Sequence, residues 1–458
     1  MKTIFNIRKS LYTTIISNLV FPLHEFLKNH NTVAIRNEME RTQWWSIDRL
    51  HHLQLLRLRR LLSKVQQSVP YYRKLFNQLD FDVHKVQSLS DLERLPLLDK
   101  QTIREQIESL KAEPKNKLER ACTSGSSGEP LIFFLSNDRI SHDVAAKWRA
   151  TRWWDVDIGD PEIVIWGSPI ELGVQNYVRD LRDKIFRTRL FPTKVMSPEI
   201  LTKYLAEIRR IRPRMLFGYP SSIFVLARYA QSQNQKMNDL GIKVVFVTAE
   251  RLYNEQSQLI STVFGCPVAN GYGGRDAGFI AHTCAEGGMH ITAEDMIVEI
   301  INSDGNVLPA GQSGEIVITH FFSHDFPFIR YRTGDFGILE DRQCSCGRNL
   351  PLLKEIQGRS NDFLVAANGV MMHEVDFTSI LRNQPQIKYF KIVQEALEQV
   401  HIYIVSKPDL DQSLLQQIEQ TFKTRLGQTV NIVIRQVAEI PAERSGKFRY
   451  VVSKVANR

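Results

Sequence analysis

The sequence predicts an α/β protein with a large N-terminal domain and a smaller α+β domain at its C-terminus. The chain has 458 residues, more than a single hydrophobic core usually organises. Between residues 161 and 268, short apolar runs alternate with segments of helical periodicity. Alternation of this kind is typical of a largely parallel sheet covered by helices. The pattern changes after residue 297 and again after residue 358, so we expect a different architecture in those parts.

The individual elements follow from the hydrophobic periodicity of each segment. In the parallel region the expected strands are residues 163–166, 215–217 and 244–247. The expected helices between them are residues 198–211 and 221–234. Two further strands, residues 297–301 and 315–320, flank a turn-rich segment and predict an antiparallel, barrel-like part. In the C-terminal part the predicted strands are residues 389–393, 400–405 and 431–437. One helix is predicted there, at residues 412–426.

The N-terminal part is predicted to be helical. Residues 46–76 carry leucines at helical spacing, with Ser46 as the expected N-cap and a break near Pro70. We therefore divide the chain into three parts. Residues 1–120 are the helical part of the large domain, residues 121–357 are the core of that domain, and residues 358–458 are the small domain.

The composition excludes several classes of protein. The apolar fraction is 43% and the charged fraction 24%, as in ordinary globular proteins. The net charge of +9 favours binding to phosphates, nucleic acid or an anionic membrane. Because Lys and Arg are spread along the whole chain, we expect no nucleic-acid partner. Five cysteines are too few for a disulfide scaffold and predict a reducing compartment, so we expect a cytoplasmic protein.

The N-terminus contains two apolar stretches, residues 12–20 and 21–27. Pro22, His24 and Glu25 interrupt them, and no run reaches the roughly 18 apolar residues that a membrane-spanning helix needs. The sequence favours an N-terminal helix docked on the protein. Peripheral membrane contact stays open as the alternative, because Lys2, Arg8 and Lys9 flank the apolar residues.

A loop of small and hydroxyl-bearing residues is the first candidate for phosphate binding. Its members are Thr123, Ser124, Gly125, Ser126, Ser127 and Gly128. Glycines let backbone N–H groups turn toward an anion, and hydroxyl groups add donors without bulk. The loop lacks the Gly-Lys-Ser/Thr ending of the ordinary P-loop. Taken alone, a loop of this composition is most often a flexible turn.

Residues 270–278 form a second glycine-rich segment, which follows a predicted strand. It fails the dinucleotide-binding pattern, because Asp276 occupies the place of the third glycine. Tyr272 beside Gly273 could stack on a purine, and Asp276 could bind Mg²⁺. The alternative interpretation is a glycine-rich turn with a surface aspartate.

Three other polar residues are weaker candidates. A carboxylate such as Asp335 can accept hydrogen bonds from both ribose hydroxyls, or it can form a structural pair with an arginine. Arg359 lies in a polar segment that also reads as a plain linker. Lys447 follows Ser-Gly near the C-terminus, where a lone lysine is usually a solvated surface residue.

Considered together, these segments resemble the adenylate-forming superfamily, and within it the phenylacetate–CoA ligase-like branch that includes proteins linked to capsular polysaccharide synthesis. They stand in the family's order, at residues 123–130, 217–220, 248–250, 272–273, 331–335, 358–359 and 445–447. The resemblance implies a large adenylate-forming domain and a small mobile C-terminal domain. It also implies ATP and Mg²⁺ as cofactors, and it covers most of the chain.

The resemblance assigns a role to each candidate. The loop from Thr123 to Gly128 would hold the ATP phosphates, Tyr272 and Gly273 would lie at the adenine, and Asp335 and Arg359 would contact the ribose and phosphate. Asp276 would bind Mg²⁺ where the family usually has Glu, and Lys447 would stabilise charge during adenylation. Two further departures are Glu129, where the family often has Lys, and Asn361, where an acidic hinge residue is common.

The activity implied is the ATP-dependent conversion of a small carboxylic acid to acyl-AMP with release of pyrophosphate. The acyl group would then pass to a thiol, coenzyme A, or to an amine or sugar acceptor in polysaccharide synthesis. The alternative is a catalytically impaired, nucleotide-binding scaffold protein at a membrane surface. Retention of Tyr272, Asp335 and Lys447 favours the enzyme over the scaffold.

A metal site is a separate prediction. Cys284 and His290 are spaced C-x5-H, and Cys344 and Cys346 form C-x-C. Three thiolates and one imidazole would complete a tetrahedral structural Zn²⁺ site. Similar Cys/His elements occur in parts of the family branch. His282 could replace His290 as the ligand, and reduced cysteines without a metal are the other interpretation.

Overall fold

The structure is a computed structural model. It describes residues 10–114, 117–123, 130–167, 177–193, 195–359, 363–382, 384–407, 410–441 and 448–455. The chain forms two compact units. The first comprises residues 1–125, 130–333 and 337–355, and the second comprises residues 126–129, 334–336 and 356–458.

The N-terminal residues form helices on the first unit. They are α1 (Leu11–Ile15), a π turn (Ile16–Val20), α2 (Phe21–Leu27), α3 (Thr32–Thr42), α4 (Ile47–Ser68), α5 (Pro70–Gln78) and α6 (Lys100–Glu105). The break near Pro70 is confirmed, because Val69 is extended before the proline that begins α5. Ser46 is the N-cap residue of α4, but its side chain makes no capping hydrogen bond. Among the described residues, no helix combines the length and apolarity needed to cross a bilayer.

The next elements alternate between strands and helices. They are β1 (Glu119–Cys122), β2 (Ile132–Leu135), α7 (Asn137–Arg152), β3 (Glu162–Trp166), α8 (Tyr177–Ile185), β4 (Thr188–Pro192), α9 (Pro198–Ile211), β5 (Met215–Gly218), α10 (Pro220–Ser232), β6 (Val244–Thr248) and α11 (Asn254–Phe264). Strands β4, β3, β5 and β6 are parallel neighbours, as the alternation predicted. Every residue of β5 and β6 is at least nine-tenths buried, since helices cover the sheet.

The sheet continues into an antiparallel part. Its strands are β7 (Val268–Gly274), β8 (Gly278–Thr283), β9 (Met289–Ile291), β10 (Met296–Ile301), β11 (Ser313–His320), β12 (Tyr331–Glu340) and β13 (Leu352–Arg359). Strand β7 pairs parallel with β6 and antiparallel with β8, so the direction changes there. The order is β10-β11-β12-β13-β9-β8-β7-β6-β5-β3-β4. The antiparallel strands, which were expected to be barrel-like, therefore belong to the same sheet as the parallel strands.

The second unit has its own core. Its elements are β14 (Phe363–Val365), β15 (Met371–His373), α12 (Glu374–Arg382), β16 (Ile387–Ala396), β17 (Gln399–Ser406), α13 (Gln412–Leu426), β18 (Asn431–Gln436) and β19 (Val451–Ser453). Four strands form a sheet in the order β18-β17-β16-β19. Phe377 of α12 and Phe422 of α13 pack together in its hydrophobic core, with ring centroids 5.2 Å apart. The predicted α+β arrangement is confirmed.

A buried polar cluster joins three helices of the first unit to the segment between β9 and β10. Arg149 of α7 donates to Glu294 Oε1 at 2.6 Å, and Thr42 of α3 donates to the same oxygen at 2.9 Å. His142 Nδ1 of α7 lies 2.8 Å from Asp295 Oδ1. Arg57 of α4 bonds the Glu294 carbonyl oxygen and lies 3.9 Å from Asp295 Oδ1. We call Glu294, Asp295 and these four partners the carboxylate hub.

We predict that Arg149→Leu lowers the free energy of unfolding of the first unit by about 3–5 kcal/mol. The change leaves Glu294, whose side chain is 1% exposed, as an uncompensated buried charge. Urea unfolding followed by fluorescence measures this. The control is Arg210→Leu, which removes an exposed pair with Glu207 and should leave the midpoint unchanged. Equal midpoints for both variants would contradict a structural role for the hub.

Candidate active site and metal centre

The turn that carries Asp276 lies between β7 and β8. Glycine is required beside it, because a Cβ at Gly273 would lie 2.2 Å from the carbonyl oxygen of Gly278. Gly278 itself has φ +79°, a conformation that glycine adopts without strain. Tyr272 is 9% exposed in β7. The glycine-rich segment is therefore a tight hairpin that presents Asp276 beyond the end of a buried strand.

Two residues hold Asp276 in place. The Tyr331 hydroxyl donates to Asp276 Oδ2 at 2.6 Å, and Arg139 Nη2 donates to the Asp276 carbonyl oxygen at 3.2 Å. Both Tyr331 and Arg139 are buried, and Arg139 is further fixed by Asp143, one turn along α7, at 3.1 Å. The turn is therefore oriented by the protein rather than free at the surface. This geometry favours the metal-ligand interpretation of Asp276 over the surface-turn interpretation.

Neither holding residue was singled out from the sequence. Tyr331 stands inside the segment matched to the family, but its hydroxyl was given no role. Arg139 and Asp143 are spaced i, i+4 on α7, a spacing that marks a pair on one helix face. That spacing was the available signal, yet it could not show that the arginine also reaches residue 276.

The loop proposed for the phosphates is framed by a short hairpin. Strands β1 and β2 are antiparallel, with Cys122 opposite Ile132. Thr123 N donates to the Leu131 carbonyl oxygen, and Leu131 N donates to Thr123 Oγ1, each at 3.0 Å. The Thr123 hydroxyl therefore closes the hairpin. Ser124, Gly125, Ser126, Ser127 and Gly128 lie outside the described residues.

Asp335 and Arg359 meet within the second unit. Arg359 Nε donates to Asp335 Oδ1 at 3.0 Å, and both side chains remain partly exposed, at 35% and 18% for Arg359 and Asp335. The two arginines within the 330–335 segment do not pair with Asp335. Arg330 pairs with Glu299, and Arg332 pairs with Glu315. Two candidates widely separated in sequence are thus brought together. Asn361 and Lys447 lie outside the described residues.

The four predicted metal ligands converge in the first unit. One ligand atom from each of Cys284, His290, Cys344 and Cys346 lies within 4.8 Å of the others. Cys284 Sγ is 3.6 Å from Cys344 Sγ, and Cys346 Sγ is 3.2 Å from His290 Nε2. A tetrahedral zinc ion with bonds of about 2.3 Å separates its ligands by roughly 3.8 Å. The spacing is therefore close to that of a zinc centre.

The second nitrogen of His290 supports this arrangement. His290 Nδ1 donates to the carbonyl oxygen of Leu350 at 3.3 Å, which leaves Nε2 facing the thiols. Ligating histidines are commonly oriented by such a backbone contact. Burial lowers the pKa of His290 to about 4, so the imidazole is neutral at physiological pH. We call Cys284, His290, Cys344 and Cys346 the Cys/His cluster.

His282, the alternative ligand, lies outside the Cys/His cluster. It stands opposite His290 in the β8–β9 ladder, and its ring stacks on Phe279 with centroids 5.0 Å apart. Neither of its ring nitrogens has a hydrogen-bond partner in the part of the chain that the structure describes. Burial lowers its pKa to about 3, so the ring is neutral. The structure therefore selects His290 over His282.

The sequence of this chain is similar to one family model and to several known proteins. Residues 364–454 match the family model described as the CapK C-terminal domain. The chain is 23% identical over 436 residues to Protein CapK of Staphylococcus aureus, covering 94% of each protein. It is 24% identical over 438 residues to the phenylacetate-coenzyme A ligase of Thermus thermophilus, covering 88% of this chain and 96% of the relative.

Solved structures agree on the fold. 2-Hydroxyisobutyryl-CoA ligase in the postadenylation state aligns with a TM-score of 0.73 at 20% identity, covering 91% of this chain and 92% of that one. The homologues are thus Protein CapK and phenylacetate-CoA ligases, and the structural neighbours are adenylate-forming CoA ligases. The predicted resemblance and fold class are confirmed. The same homologues support the predicted enzyme class, an ATP-dependent adenylate-forming ligase.

Proposed function

We propose that this protein activates a small carboxylic acid with ATP and transfers the acyl group to coenzyme A. A carboxylate oxygen attacks the α-phosphorus, the bond to the bridging oxygen breaks, and pyrophosphate leaves. The thiol sulfur then attacks the carbonyl carbon of the acyl-AMP, AMP leaves, and the thiol proton passes to solvent. One relative that matches along 88% of the chain is named a phenylacetate-coenzyme A ligase, and this name supports coenzyme A as the acceptor.

The observation that carries the proposal is the hydrogen bond from Tyr331 to Asp276. One carboxylate oxygen is occupied by the hydroxyl, which orients the other oxygen as an acceptor for a divalent cation. Carboxylate oxygens suit Mg²⁺, which binds proteins through one or two carboxylates together with substrate phosphates. When bound, Mg²⁺ would neutralise negative charge on the phosphates. Asp276 would hold it despite being one methylene shorter than the usual glutamate.

The other ATP contacts follow from the remaining candidates. Asp335 would accept hydrogen bonds from the ribose hydroxyls, and Arg359, which already pairs with it at 3.0 Å, would hold the carboxylate in place and contact ribose or phosphate. Tyr272 in β7 would lie against the adenine. The loop 123–128 would bind the β- and γ-phosphates, and Lys447 would stabilise the charge that develops during attack.

The acceptor is the less constrained part of the proposal. Coenzyme A is favoured because four relatives carry the name of a phenylacetate-coenzyme A ligase. An amine or sugar acceptor is the second candidate, because Protein CapK of Staphylococcus aureus matches along 94% of the chain. Measuring acyl transfer to coenzyme A and to amino sugars from acyl-AMP formed in place would decide between these acceptors.

We expect the wild-type protein to exchange labelled pyrophosphate into ATP in the presence of its acid. Lys447→Ala should lower this exchange by roughly a hundredfold or more while leaving ATP affinity intact, because the cation acts on developing charge. Asp335→Ala should weaken ATP binding by about tenfold to a hundredfold, because it removes a charged hydrogen-bond acceptor. Equilibrium binding of ATP and the exchange rate separate these effects.

The control for Lys447 is Lys423→Ala, which removes a cation paired with Glu419 on α13. It should leave exchange unchanged. Full activity of the Lys447 variant would show that another cation is used. A folded wild-type protein that binds ATP but exchanges nothing with a broad panel of acids would favour the scaffold hypothesis over the ligase.

Tyr331→Phe should raise the Mg²⁺ concentration needed for half-maximal activity by about tenfold. The variant keeps the buried ring but loses the hydroxyl that orients Asp276. Tyr204→Phe is the matched control, since the Tyr204 hydroxyl donates to the Pro192 carbonyl oxygen at 2.7 Å, away from the turn. Titration of activity with Mg²⁺ measures both variants, and equal Mg²⁺ dependence would contradict the role assigned to Tyr331.

We also propose that the Cys/His cluster binds one structural Zn²⁺. Its support is the donor set itself, three thiols and an imidazole at spacings close to a tetrahedral centre. The ion would tie the β8–β9 hairpin to the segment before β13. The cluster is largely buried and supplies four protein ligands, the number that fills a tetrahedral structural zinc site.

Cys346→Ser is expected to lower the zinc content from about one ion per chain to a small fraction and to reduce the melting temperature by several degrees. The oxygen is a poorer ligand than a thiolate, and metal binding contributes to folding. Mass spectrometry of the metal and thermal unfolding measure the two effects. Cys122→Ser, outside the cluster, should change neither. Wild-type protein that stays metal-free after zinc addition would contradict the site.

A further inference from the structure

The N-terminal helical segment, α1 with its π turn and α2, is held to the first unit by one face. Thr13 Oγ1 donates to Asp160 Oδ1 at 2.8 Å, and the Phe21 ring packs edge-on against Trp148 at 4.9 Å. The backbone passes close to Gly159, where a Cβ would lie 2.6 Å from Ile16 Cβ. Because these contacts are buried, the segment cannot rotate about its axis. The orientation of its outer face is therefore fixed.

The outer face carries seven large apolar side chains and two exposed polar residues, Thr14 and Asn18. Its large side chains are 40–77% exposed, and they are Leu11, Tyr12, Ile15, Leu19, Leu23, Phe26 and Leu27. Isolated exposed apolar residues are ordinary on protein surfaces, but a contiguous apolar surface marks an interaction site. Because more than half of the surface of Leu19 and Phe26 is exposed, these side chains project outward and do not line a groove. We call the seven residues the apolar ridge.

The π turn keeps the ridge on one side. Leu11, Ile15, Leu19 and Leu23 are spaced by four, and in an α-helix that spacing drifts by about 40° at each step. A π turn holds more residues than an α turn, so residues 16–20 offset the drift in the middle of the segment. Leu11, Ile15, Leu19 and Leu23 therefore lie on one side of the segment. Single π turns inside helices are frequently found at functional sites.

Exposed apolar residues also lie on α8, next to the apolar ridge. The Tyr12 hydroxyl donates to the Ile185 carbonyl oxygen at 2.7 Å, which fixes the two elements side by side. Leu181 and Ile185, one helical turn apart, are 48% and 37% exposed. The apolar surface thus includes both α8 and the N-terminal segment.

Positive charge predominates in the segment that carries α8, where Arg182 is paired with Asp183. Residues 177–189 contain five arginines and lysines against two aspartates. The Arg187 guanidinium lies over the Tyr12 ring at 4.3 Å, so one of these cations borders the ridge directly. Lys28 follows the last residue of α2, and Arg8 and Lys9 precede α1 in the sequence. Apolar side chains bordered by cations are the pattern of helices that lie in the interface of an anionic bilayer.

We propose that the apolar ridge inserts into the headgroup region of an anionic phospholipid membrane, with the N-terminal segment lying in the membrane plane. The cations around α8 would face the lipid phosphates. The N-terminal segment shares no residue with the proposed ATP contacts, and its buried contacts would present the first unit to the bilayer in one orientation. An anionic bilayer satisfies both the apolar side chains and the surrounding positive charge.

The test is flotation of the full-length protein with vesicles of phosphatidylcholine containing about 30% phosphatidylglycerol. Wild type should float with these vesicles and much less with phosphatidylcholine alone, and added salt should weaken binding. The double variant Leu19→Asn and Phe26→Asn should bind at least tenfold more weakly. Its matched control is Leu56→Asn and Leu79→Asn, which changes two side chains of 49% and 43% exposure elsewhere and should bind as wild type does.

Two further measurements keep the test decisive. Arg182→Gln with Arg187→Gln should weaken binding to anionic vesicles while the apolar ridge is intact. Pyrophosphate exchange should be unchanged in all of these variants, which shows that they are folded. Absence of vesicle binding by wild type, or equal binding by the ridge variant, would overturn the proposal. So would a dimer in solution that becomes a monomer in the ridge variant, since a second copy would then cover the ridge.

Discussion

Three helices of the first unit depend on two neighbouring carboxylates, those of Glu294 and Asp295. The pair lies in the short connection between β9 and β10, and Asp295 immediately precedes β10. Each carboxylate is nearly inaccessible to water, and the side chains described as its partners come from α3, α4 and α7. A buried charge without its partner is costly, so all three helices must reach the same place together. The carboxylate hub thus determines where the three helices dock more than it adds to the stability of the fold.

Helix α7 connects this constraint to the candidate active site. One end of the helix provides Arg149 to Glu294, and the other provides Arg139 to the Asp276 turn. Between them His142 pairs with Asp295 and stacks on Phe322, with ring centroids 3.4 Å apart. A shift of α7 would disturb both contacts at once. The position of Asp276, which we propose as a magnesium ligand, therefore depends on a helix that is held by buried ion pairs.

Periodicity predicted the elements well because strands and helices bury faces of fixed spacing. The helix at Pro198–Ile211 and the buried strand at Val244–Thr248 are examples. The Cys/His cluster was predictable because three cysteines and one histidine, usual ligands of structural zinc, occur between residues 284 and 346. The bond between Tyr331 and Asp276 was not, since it joins residues 55 apart that only the sheet brings together. Spacing predicted His290 but left His282 open as an alternative, and the convergence of His290 with the three cysteines distinguishes them.

The hub also dictates an order of events while the chain is being made. Thr42 and its acceptor Glu294 are 252 residues apart. At the usual rate of about 5–20 residues per second, the ribosome needs roughly 10 to 50 seconds to synthesise the stretch between them. During that interval the N-terminal helices have emerged, but the carboxylates that complete their docking do not yet exist. The growing chain must therefore hold these helices without their final partners until the β9–β10 connection leaves the ribosome.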